Sequence, residues 1–538
     1  MDVMQLIKRC IDYIDPFYKE LFLKLFVLTN IVYLYSTVNF LYSDHDVTFL
    51  TTHIGFKRIW WAGRFFQYAP IQILNGYLLP VINNILLLSA YIISGIMVCR
   101  LWNIPKNQGY YFLSVSFLLF VPYSMTWMFH SHGTFAMYLI PLYISLAGTL
   151  AKSDKWYSIS AGSFLLFFAV STYHPAINMI CVIFCGKIIL DFVSNEDFQN
   201  YHGYYKRLTI MSIIGGLLFC CSFLYIKYKG FLLENFYALQ TNTFIEIFKN
   251  IPLIFYYSIK QFFVAQPYIE KNYKLILFST LIFSYIVLSR KLFKNHKKKF
   301  ASKIIVLSIL FAGMIFATQF SNLISVKDSF LYARIAWCGL VFMSLFSFVV
   351  LCSSQSRIFN NLGVIILIVL LGINIVQVAR IQKSWGESNK IETQRINRLI
   401  YSIQSHPSFN SDMQYSLYSC GGLSLPRLKF YPSPYHDGSN ELHSSALTTY
   451  WNLSIILRYM EPDLKVNSRG RNAEALIAFL KKMDLPEFER YRTAIRSARA
   501  WPSKECVVIL DSNILLFLDQ ESLAKVQDFL EQRLEDES

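Results

Sequence analysis

Long apolar segments separated by short polar loops make up the chain as far as about residue 384. Residues 362–379 form one such segment, which is interrupted only by Asn374 and Gln377 and is long enough to cross a bilayer. A segment of this length satisfies its backbone groups inside a membrane when it is helical. The pattern predicts an all-α polytopic membrane protein with about eleven transmembrane helices. We place these helices near residues 21–42, 76–99, 110–128, 133–151, 157–171, 175–192, 208–226, 275–289, 302–320, 335–353 and 362–379.

The pattern divides the chain into three regions. Residues 1–20 are amphipathic and lack the apolar core of a signal peptide, which is typical of a cytoplasmic interfacial helix ending at Asp15-Pro16. Residues 21–383 are predicted to form the transmembrane domain, and residues 384–538 a small soluble domain. The transmembrane domain has a first external loop at 43–75 and a long external loop at 227–274.

Two segments are open to more than one interpretation. The sequence Ser171–Pro175 either separates two helices or kinks one long helix, because proline removes a backbone donor. Within the long external loop, Phe244–Phe263 is rich in apolar and aromatic residues, so we expect it to lie in the membrane interface.

Positive charge is distributed along the chain in a way that predicts membrane topology. The net charge is +16, but the residues from Lys390 onward have 18 basic and 19 acidic side chains, so the remainder has +17. This excess lies mainly in alternate short loops, most strongly at 290–299, which is how membrane proteins encode cytoplasmic loops. We therefore expect a cytoplasmic N-terminus, and an odd number of helices then puts the C-terminal domain outside. The charge does not indicate binding of nucleic acid.

The C-terminal region reads as a small α/β domain. Ile396, Leu399, Ile400 and Ile403 share one helical face, and Ala473–Leu480 is a second predicted helix with Asn472 as its cap. Cys506–Leu510 and Ile514–Leu518 are predicted strands joined by a tight turn.

The number of cysteines in the C-terminal domain is compatible with an oxidising compartment. Of the ten cysteines, only Cys420 and Cys506 lie in it, and we predict a disulfide between them. The alternative is a pair of buried free thiols. Cysteine and histidine spacing does not resemble a zinc site, so we predict no metal centre.

Candidate catalytic groups lie in the first external loop. Asp44 and Asp46 directly follow the first predicted helix, and a carboxylate at such a boundary can act as a general base. A solvated helix end would explain the same two residues without any catalytic role. The loop continues into an amphipathic basic and aromatic stretch, WWAGRFF at 60–66, that suits the lipid headgroup level.

Candidate substrate-binding groups are predicted at the same face. Arg64, Lys327 and Arg334 suit phosphate, although a cation snorkelling to the interface is the alternative. The histidines predicted at this face are either substrate ligands or hydrogen-bonded boundary residues; they are His45, His130, His132 and His174.

A family resemblance is carried by the same motifs. The segment Tyr42–Gly76, with SDHD and then WWAGRFF, resembles the Gtr-type serotype-converting glucosyltransferases, which are membrane glycosyltransferases of the GT-C class. The resemblance extends more weakly through the turn containing Tyr173 to about residue 380. Near the C-terminus, Trp501-Pro502-Ser503 before a short strand also resembles that family. In one respect the chain departs from the family pattern, because His45 separates two acidic residues that tend to be adjacent there.

The resemblance implies a function for the loop. It implies an enzyme of the bacterial inner membrane that transfers glucose from a polyprenyl-phosphate donor to a surface polysaccharide such as lipopolysaccharide O-antigen, with inversion. Asp44 or Asp46 would activate the acceptor hydroxyl, while Arg64 and Arg334 would stabilise the leaving lipid phosphate. The partners would be the donor lipid, the polysaccharide acceptor and membrane lipids. The reaction needs no cofactor, and it is compatible with a divalent metal.

Three other functions fit a polytopic chain. A flippase or transporter of lipid-linked sugars would have charged residues near the middle of the membrane, and most of the predicted helices have none. A polysaccharide polymerase would work at the same external face. A membrane scaffold that displays the C-terminal domain would need no catalytic group.

Overall fold

The computed structural model describes residues 15–39, 41, 66, 80–125, 131–194, 201–229, 244–263, 271–323, 337–422, 453–470 and 472–537. Most of these residues are helical, and a small sheet lies near the C-terminus. Up to residue 404 the α-helices are α1 Pro16–Val32, α2 Leu34–Val38, α3 Pro80–Leu101, α4 Gln108–Phe120, α5 Ser131–Tyr138, α6 Ile140–Leu150, α7 Trp156–Thr172, α8 Ala176–Ser194, α9 His202–Tyr228, α10 Phe244–Lys260, α11 Lys271–Asn295, α12 Phe300–Ala317, α13 Phe342–Cys352 and α14 Arg357–Gln404.

Apolar helices occur where the hydropathy pattern predicts them. Six described helices are long and apolar enough to cross a membrane, and four shorter apolar segments accompany them. Helices α9 and α12 leave many large apolar side chains exposed, among them Ile213, Leu217 and Ile309. A soluble surface rarely carries so much apolar area, whereas a lipid-facing surface does. The predicted mainly helical class with a small sheet is confirmed, and the long apolar helices are compatible with a membrane protein.

Two helix boundaries refine the predictions. Asp15 caps the start of α1, where its carboxylate accepts a hydrogen bond from the Phe17 amide at 3.0 Å, whereas the interfacial helix predicted before it lies outside the described residues. Proline suits the first helical position because that position needs no donor. The Ser171–Pro175 segment separates two helices, α7 and α8, rather than kinking one.

Helices of the described part run in opposite directions, so the helix ends fall into two sets at opposite sides of the helical unit. One set, which we call the basic end, includes the end of α8, the start of α9, the end of α11 and the start of α12. There the Lys291 ammonium donates to the Ser194 hydroxyl at 2.8 Å, and the Asn295 amide donates to the Val193 carbonyl at 3.0 Å. Near this end Asp191 is buried, and its carboxylate accepts from Lys187 at 2.8 Å and from Tyr205 at 2.7 Å. We call the other set the opposite end.

Helix α14 spans 48 residues, and the boundary between two compact units falls within it, after Ile381. The second unit contains β1 Tyr415–Cys420, α15 Leu453–Met460, β2 Val466–Gly470, α16 Ala473–Leu480, α17 Leu485–Arg496, β3 Val507–Leu510, β4 Asn513–Phe517 and α18 Gln520–Glu537. The strand order is β2-β1-β4-β3, with β3 antiparallel to β4 and the other pairs parallel. The predicted β3–β4 hairpin and the cap of α16 by Asn472 are confirmed.

The sheet of this unit is covered by helices on both faces. On one face, alternate strand residues pack against α15 and against the buried stripe of α14 that includes Ile396, Leu399 and Ile403. On the other face, the strands pack against α16, α17 and α18. The predicted helical face of α14 is therefore confirmed as a core face. Alternation along each strand sends neighbouring side chains to opposite layers.

The predicted disulfide between Cys420 and Cys506 is wrong in this structure, where both are free and buried. Cys506 belongs to the core layer that contains α14, whereas Cys420 belongs to the layer that contains α16 to α18. The sheet lies between the two sulfur atoms, so they cannot bond without moving a strand. Burial raises the pKa of both thiols to about 12, so each behaves as a small apolar side chain.

Candidate functional site

Most of the predicted site residues lie outside the described residues. These are Asp44, His45, Asp46, Arg64, His130, Lys327 and Arg334. Their catalytic and binding roles therefore remain predictions. His132 belongs to α5, and nothing is described of its side chain.

His174 is the predicted site residue whose surroundings are described. It lies in the turn between α7 and α8 at the opposite end, and its ring is half-buried. The ring makes edge contacts with Phe219 and Phe223 of α9, with centroid distances of 5.3 and 6.4 Å. These aromatic contacts are consistent with the boundary-residue interpretation of His174.

The last residue of the WWAGRFF motif is also described. The ring of Phe66 stacks on the ring of Phe168 in α7, with 3.8 Å between centroids and 7° between planes. It also meets Tyr143 of α6 edge-on at 6.2 Å. Phe66 is thus anchored where α6 begins and α7 ends, which is the opposite end.

A buried polar network lies at the same end and was not predicted. It consists of Asn178, Ser258, Gln261, Lys274, Thr318, Gln319, Ser321 and Asn322, all at most 8% exposed, and we call it the amide network. These residues come from the start of α8, the end of α10, the start of α11 and the turn that follows α12. Four separate parts of the sequence therefore contribute polar side chains to one region.

Asn178 joins α8 to the end of α12. Its amide nitrogen donates to the Thr318 carbonyl at 3.0 Å, and its oxygen accepts from the Ser321 backbone amide at 2.6 Å. A helix end leaves backbone carbonyls without intrahelical partners, and a side chain from another helix can satisfy them. Asn178 is fully buried, so both bonds form out of contact with water and fix the turn after α12.

Gln261 is the centre of the amide network. Its amide nitrogen donates to the Thr318 hydroxyl and to the Ser258 carbonyl, each at 2.7 Å. Its side-chain oxygen accepts from Gln319 at 2.9 Å, and the Gln319 oxygen in turn accepts from Asn322 at 2.6 Å. These bonds connect the end of α10 to the turn after α12. Satisfied buried networks of this kind hold side chains in one arrangement.

Lys274 brings a lysine amine into the network. It is on the first turn of α11, it is fully buried, and its amine donates to the Gln261 backbone carbonyl at 2.9 Å. Burying a cation is costly, and ionisable groups in membrane domains often mark ligand sites. The network therefore holds the Lys274 amine at the same end of the helices as Phe66.

A short π-helix, Trp337–Val341, packs beside the network. The Trp337 indole donates to the Tyr91 hydroxyl at 2.9 Å, and the Tyr91 ring stacks on Tyr138 with 4.1 Å between centroids. Gly339 lies so close to Thr318 that a Cβ atom would approach the Thr318 Cα and carbonyl oxygen to 2.6 Å. Single π turns are often found at functional sites.

Sequence reasoning missed the amide network because its members come together only through long-range packing. The available signal was the presence of Asn178, Gln319 and Asn322 beside apolar segments, and of Lys274 at the start of a predicted helix. Over the residues that the structure describes, no group of three histidine, cysteine, aspartate or glutamate side chains is arranged for a metal ion. The network fixes the position of the Lys274 side chain, and a lysine side chain suits an anionic ligand.

Comparison with known proteins identifies the family. No curated protein and no solved structure matches the chain. A family model described as glucosyl transferase GtrII matches residues 34–351. The match covers more than half of the 538 residues, and it includes both the predicted first external loop and the helices that build the amide network. The predicted relationship is confirmed: this chain belongs to the GtrII family of glucosyltransferases.

Proposed function

We propose that the chain transfers glucose from a polyprenyl-phosphate donor to a surface polysaccharide such as O-antigen, on the extracytoplasmic face of a bacterial inner membrane. Membership of the glucosyltransferase family supports glucosyl transfer as the reaction type. A lipid-linked donor fits a chain in which six of the described helices are long enough to cross a membrane, because such a donor diffuses within the bilayer.

The reaction is a single displacement with inversion. Asp44 or Asp46 accepts the proton of an acceptor hydroxyl, and the hydroxyl oxygen bonds to C1 of glucose. The bond between C1 and the donor phosphate oxygen breaks, and its electron pair leaves on the lipid phosphate. Arg64 and Arg334 stabilise the charge that develops on that phosphate. The proton ends on the aspartate and is later lost to water.

Lys274 is a further candidate for binding the donor phosphate. Its ammonium is buried at the opposite end and held by the Gln261 carbonyl, so its position is fixed before the ligand arrives. An ammonium suits phosphate as a point charge, and a preorganised charge costs little reorganisation during the reaction. We include Lys274 with the predicted Arg64 and Arg334.

The basic loops support the proposed orientation. Arg207 donates to the Ala151 carbonyl at 2.8 Å, and Lys291 and Lys294 lie at the same basic end. Basic clusters resist translocation, so the basic end is assigned to the cytoplasm and the opposite end to the outside. The amide network and the C-terminal unit would then both be extracytoplasmic.

A transporter of lipid-linked sugars is the main alternative. It would be expected to line a path through the membrane with charged groups. The described ion pair inside an apolar helix, Lys187–Asp191, is closed, because the Asp191 oxygens also accept from Tyr205. This arrangement is better suited to joining α8 and α9 than to moving a substrate.

Reconstitution separates these functions. The purified chain is placed in vesicles with synthetic polyprenyl-phosphate-glucose or with UDP-glucose, each carrying radiolabelled glucose, together with the polysaccharide acceptor. We expect label on the polysaccharide with the lipid donor and none with the nucleotide donor. Transfer from UDP-glucose alone would overturn the donor class. Movement of the lipid across the bilayer without transfer would favour the transporter.

A further inference from the structure

Asn374 of α14 is a buried amide whose hydrogen-bonding groups are unsatisfied. Its side chain is fully buried, and neither its oxygen nor its nitrogen has a hydrogen-bond partner among the residues that the structure describes. The Tyr273 hydroxyl, on the first turn of α11, lies close to Asn374 but without the geometry of a hydrogen bond, and it is also unsatisfied. One turn further along α14, the oxygen of Gln377 has no partner either. Three neighbouring polar side chains thus present unused donors and acceptors.

Three other amides of the same unit have hydrogen-bond partners. Asn178 has a partner for its nitrogen and for its oxygen, and Gln261 donates twice and accepts once. The amide nitrogen of Asn360, also on α14, donates to Tyr110 and to the Cys352 carbonyl, each at 2.8 Å. Polar groups buried in a membrane domain are costly when they lack partners. The unsatisfied groups at Asn374 and Tyr273 therefore indicate that a ligand supplies the missing partners.

The location of this cluster connects it with the proposed donor. Tyr273 directly precedes Lys274, so the cluster adjoins the amide network. Asn374 and Gln377 lie on the half of α14 that the hydropathy pattern assigns to the membrane, near the opposite end. A donor that enters from the bilayer would approach this part of α14.

The unsatisfied atoms also define the chemistry of the ligand. Asn374 needs both a donor for its oxygen and an acceptor for its nitrogen, whereas the ionised phosphodiester of the donor supplies acceptors only. A hydroxyl group does both, and adjacent sugar hydroxyls match the two ends of one amide. We infer that Asn374 and Tyr273 bind hydroxyl groups of the donor's glucose, while the phosphate is bound by cations. This inference rests on the proposed lipid-linked glucose donor.

The test uses Asn374→Leu in the reconstituted full-length chain. Leucine keeps the size of the side chain and removes both polar atoms, so the melting temperature should stay the same or rise. We expect the KM for polyprenyl-phosphate-glucose to rise about tenfold, which is the loss expected for one or two hydrogen bonds. Inhibition by polyprenyl phosphate without glucose should be unchanged, because that lipid lacks the sugar.

Three further variants serve as controls. Ser116→Ala removes another buried, unsatisfied hydroxyl from α4 and should leave KM unchanged. Asn178→Leu removes a satisfied amide and should lower the melting temperature. Tyr273→Phe removes a single oxygen and should raise the donor KM severalfold, and it decides the matter if Asn374→Leu does not fold.

The outcomes separate the inference from the proposed function. An unchanged donor KM in Asn374→Leu and Tyr273→Phe would mean that water or nothing fills the cluster, and the inference would be refuted. An equal weakening of donor and of sugar-free polyprenyl phosphate would also refute it, because the contact would not be to the sugar. If the wild-type chain transfers no glucose, the proposed function itself fails, irrespective of Asn374.

Discussion

Replacing Gly339 by alanine should separate two backbones that support the amide network. An added Cβ would lie 2.6 Å from the Thr318 Cα and carbonyl oxygen and 2.8 Å from its Cβ. Nonbonded carbon contacts are typically about 3.5–4.0 Å, so the two segments must move apart by about 1 Å. Backbone atoms cannot rotate away as the end of a flexible side chain can.

The displacement has a cost that follows from the contacts of Thr318. Its carbonyl accepts from Asn178 at 3.0 Å, and its hydroxyl accepts from Gln261 at 2.7 Å. A shift of about 1 Å takes both bonds beyond the usual range. Overpacking costs about 1–3 kcal/mol, and each lost hydrogen bond costs about 1 kcal/mol. Replacing a helical glycine by alanine stabilises a helix by about 0.5–1 kcal/mol, so the free energy of unfolding should fall by roughly 2–4 kcal/mol.

Gly313→Ala is the matched control, because Gly313 lies on α12 with nothing within 4 Å of an added Cβ. Thermal unfolding in detergent, followed by the loss of monodisperse protein, compares the two variants. We expect Gly339→Ala to melt several degrees below the wild type and Gly313→Ala to match or exceed it. Transfer by Gly339→Ala should also fall, because Gln261 positions Lys274. Equal melting temperatures for the two variants would refute the close packing of the π-helix on Thr318.

Three more predictions follow from the proposed function and from the C-terminal unit. Lys274→Met should raise the donor KM about tenfold or more, because a charge-assisted contact is lost. Lys271 is an exposed lysine on the same turn, and Lys271→Met should leave the donor KM unchanged. Equal effects of the two variants would argue against phosphate binding by Lys274. In intact cells, an impermeant thiol reagent should label a cysteine introduced at exposed Asp412 but not one at exposed Lys298, and labelling at Lys298 would overturn the topology. Burial keeps Cys420 and Cys506 protonated by raising their pKa values from 9.0 to about 12. The C-terminal unit should therefore be most stable below pH 9 and lose stability as the pH rises from 9 to 12. Denaturant titrations at pH 8 and pH 10 should show that loss, and a higher stability at pH 10 would contradict the burial of these thiols.

The helices were predictable because membrane burial imposes a simple constraint on sequence. A spanning segment must be apolar over its whole length, so α8, α9, α11 and α12 are visible as runs in the sequence. The antiparallel β3–β4 hairpin was predictable from two short apolar runs joined by a tight turn. Strands β1 and β2 were not predicted, because they are short and their parallel pairing joins segments distant in sequence.

The candidate site was only partly accessible to sequence reasoning. Polar residues at the ends of predicted membrane helices can be recognised from the sequence, which is how His174 was selected. The partners of Asn178, by contrast, lie 140 and 143 residues away, and no local pattern encodes such a contact. The disulfide prediction failed for a related reason, because the shared compartment of Cys420 and Cys506 says nothing about which face of the sheet each occupies.

Glucose transfer by the aspartate variants decides whether Asp44 or Asp46 is the catalytic base. Asp44→Asn and Asp46→Asn are reconstituted with polyprenyl-phosphate-glucose and the polysaccharide acceptor, beside the wild type and Asp154→Asn, which alters an exposed aspartate at the basic end. We expect at least one of the first two variants to lose transfer by a factor of roughly 10²–10⁴, as for a missing general base, while Asp154→Asn keeps it. Near-full transfer by both Asp44→Asn and Asp46→Asn would show that the predicted first external loop does not supply the base.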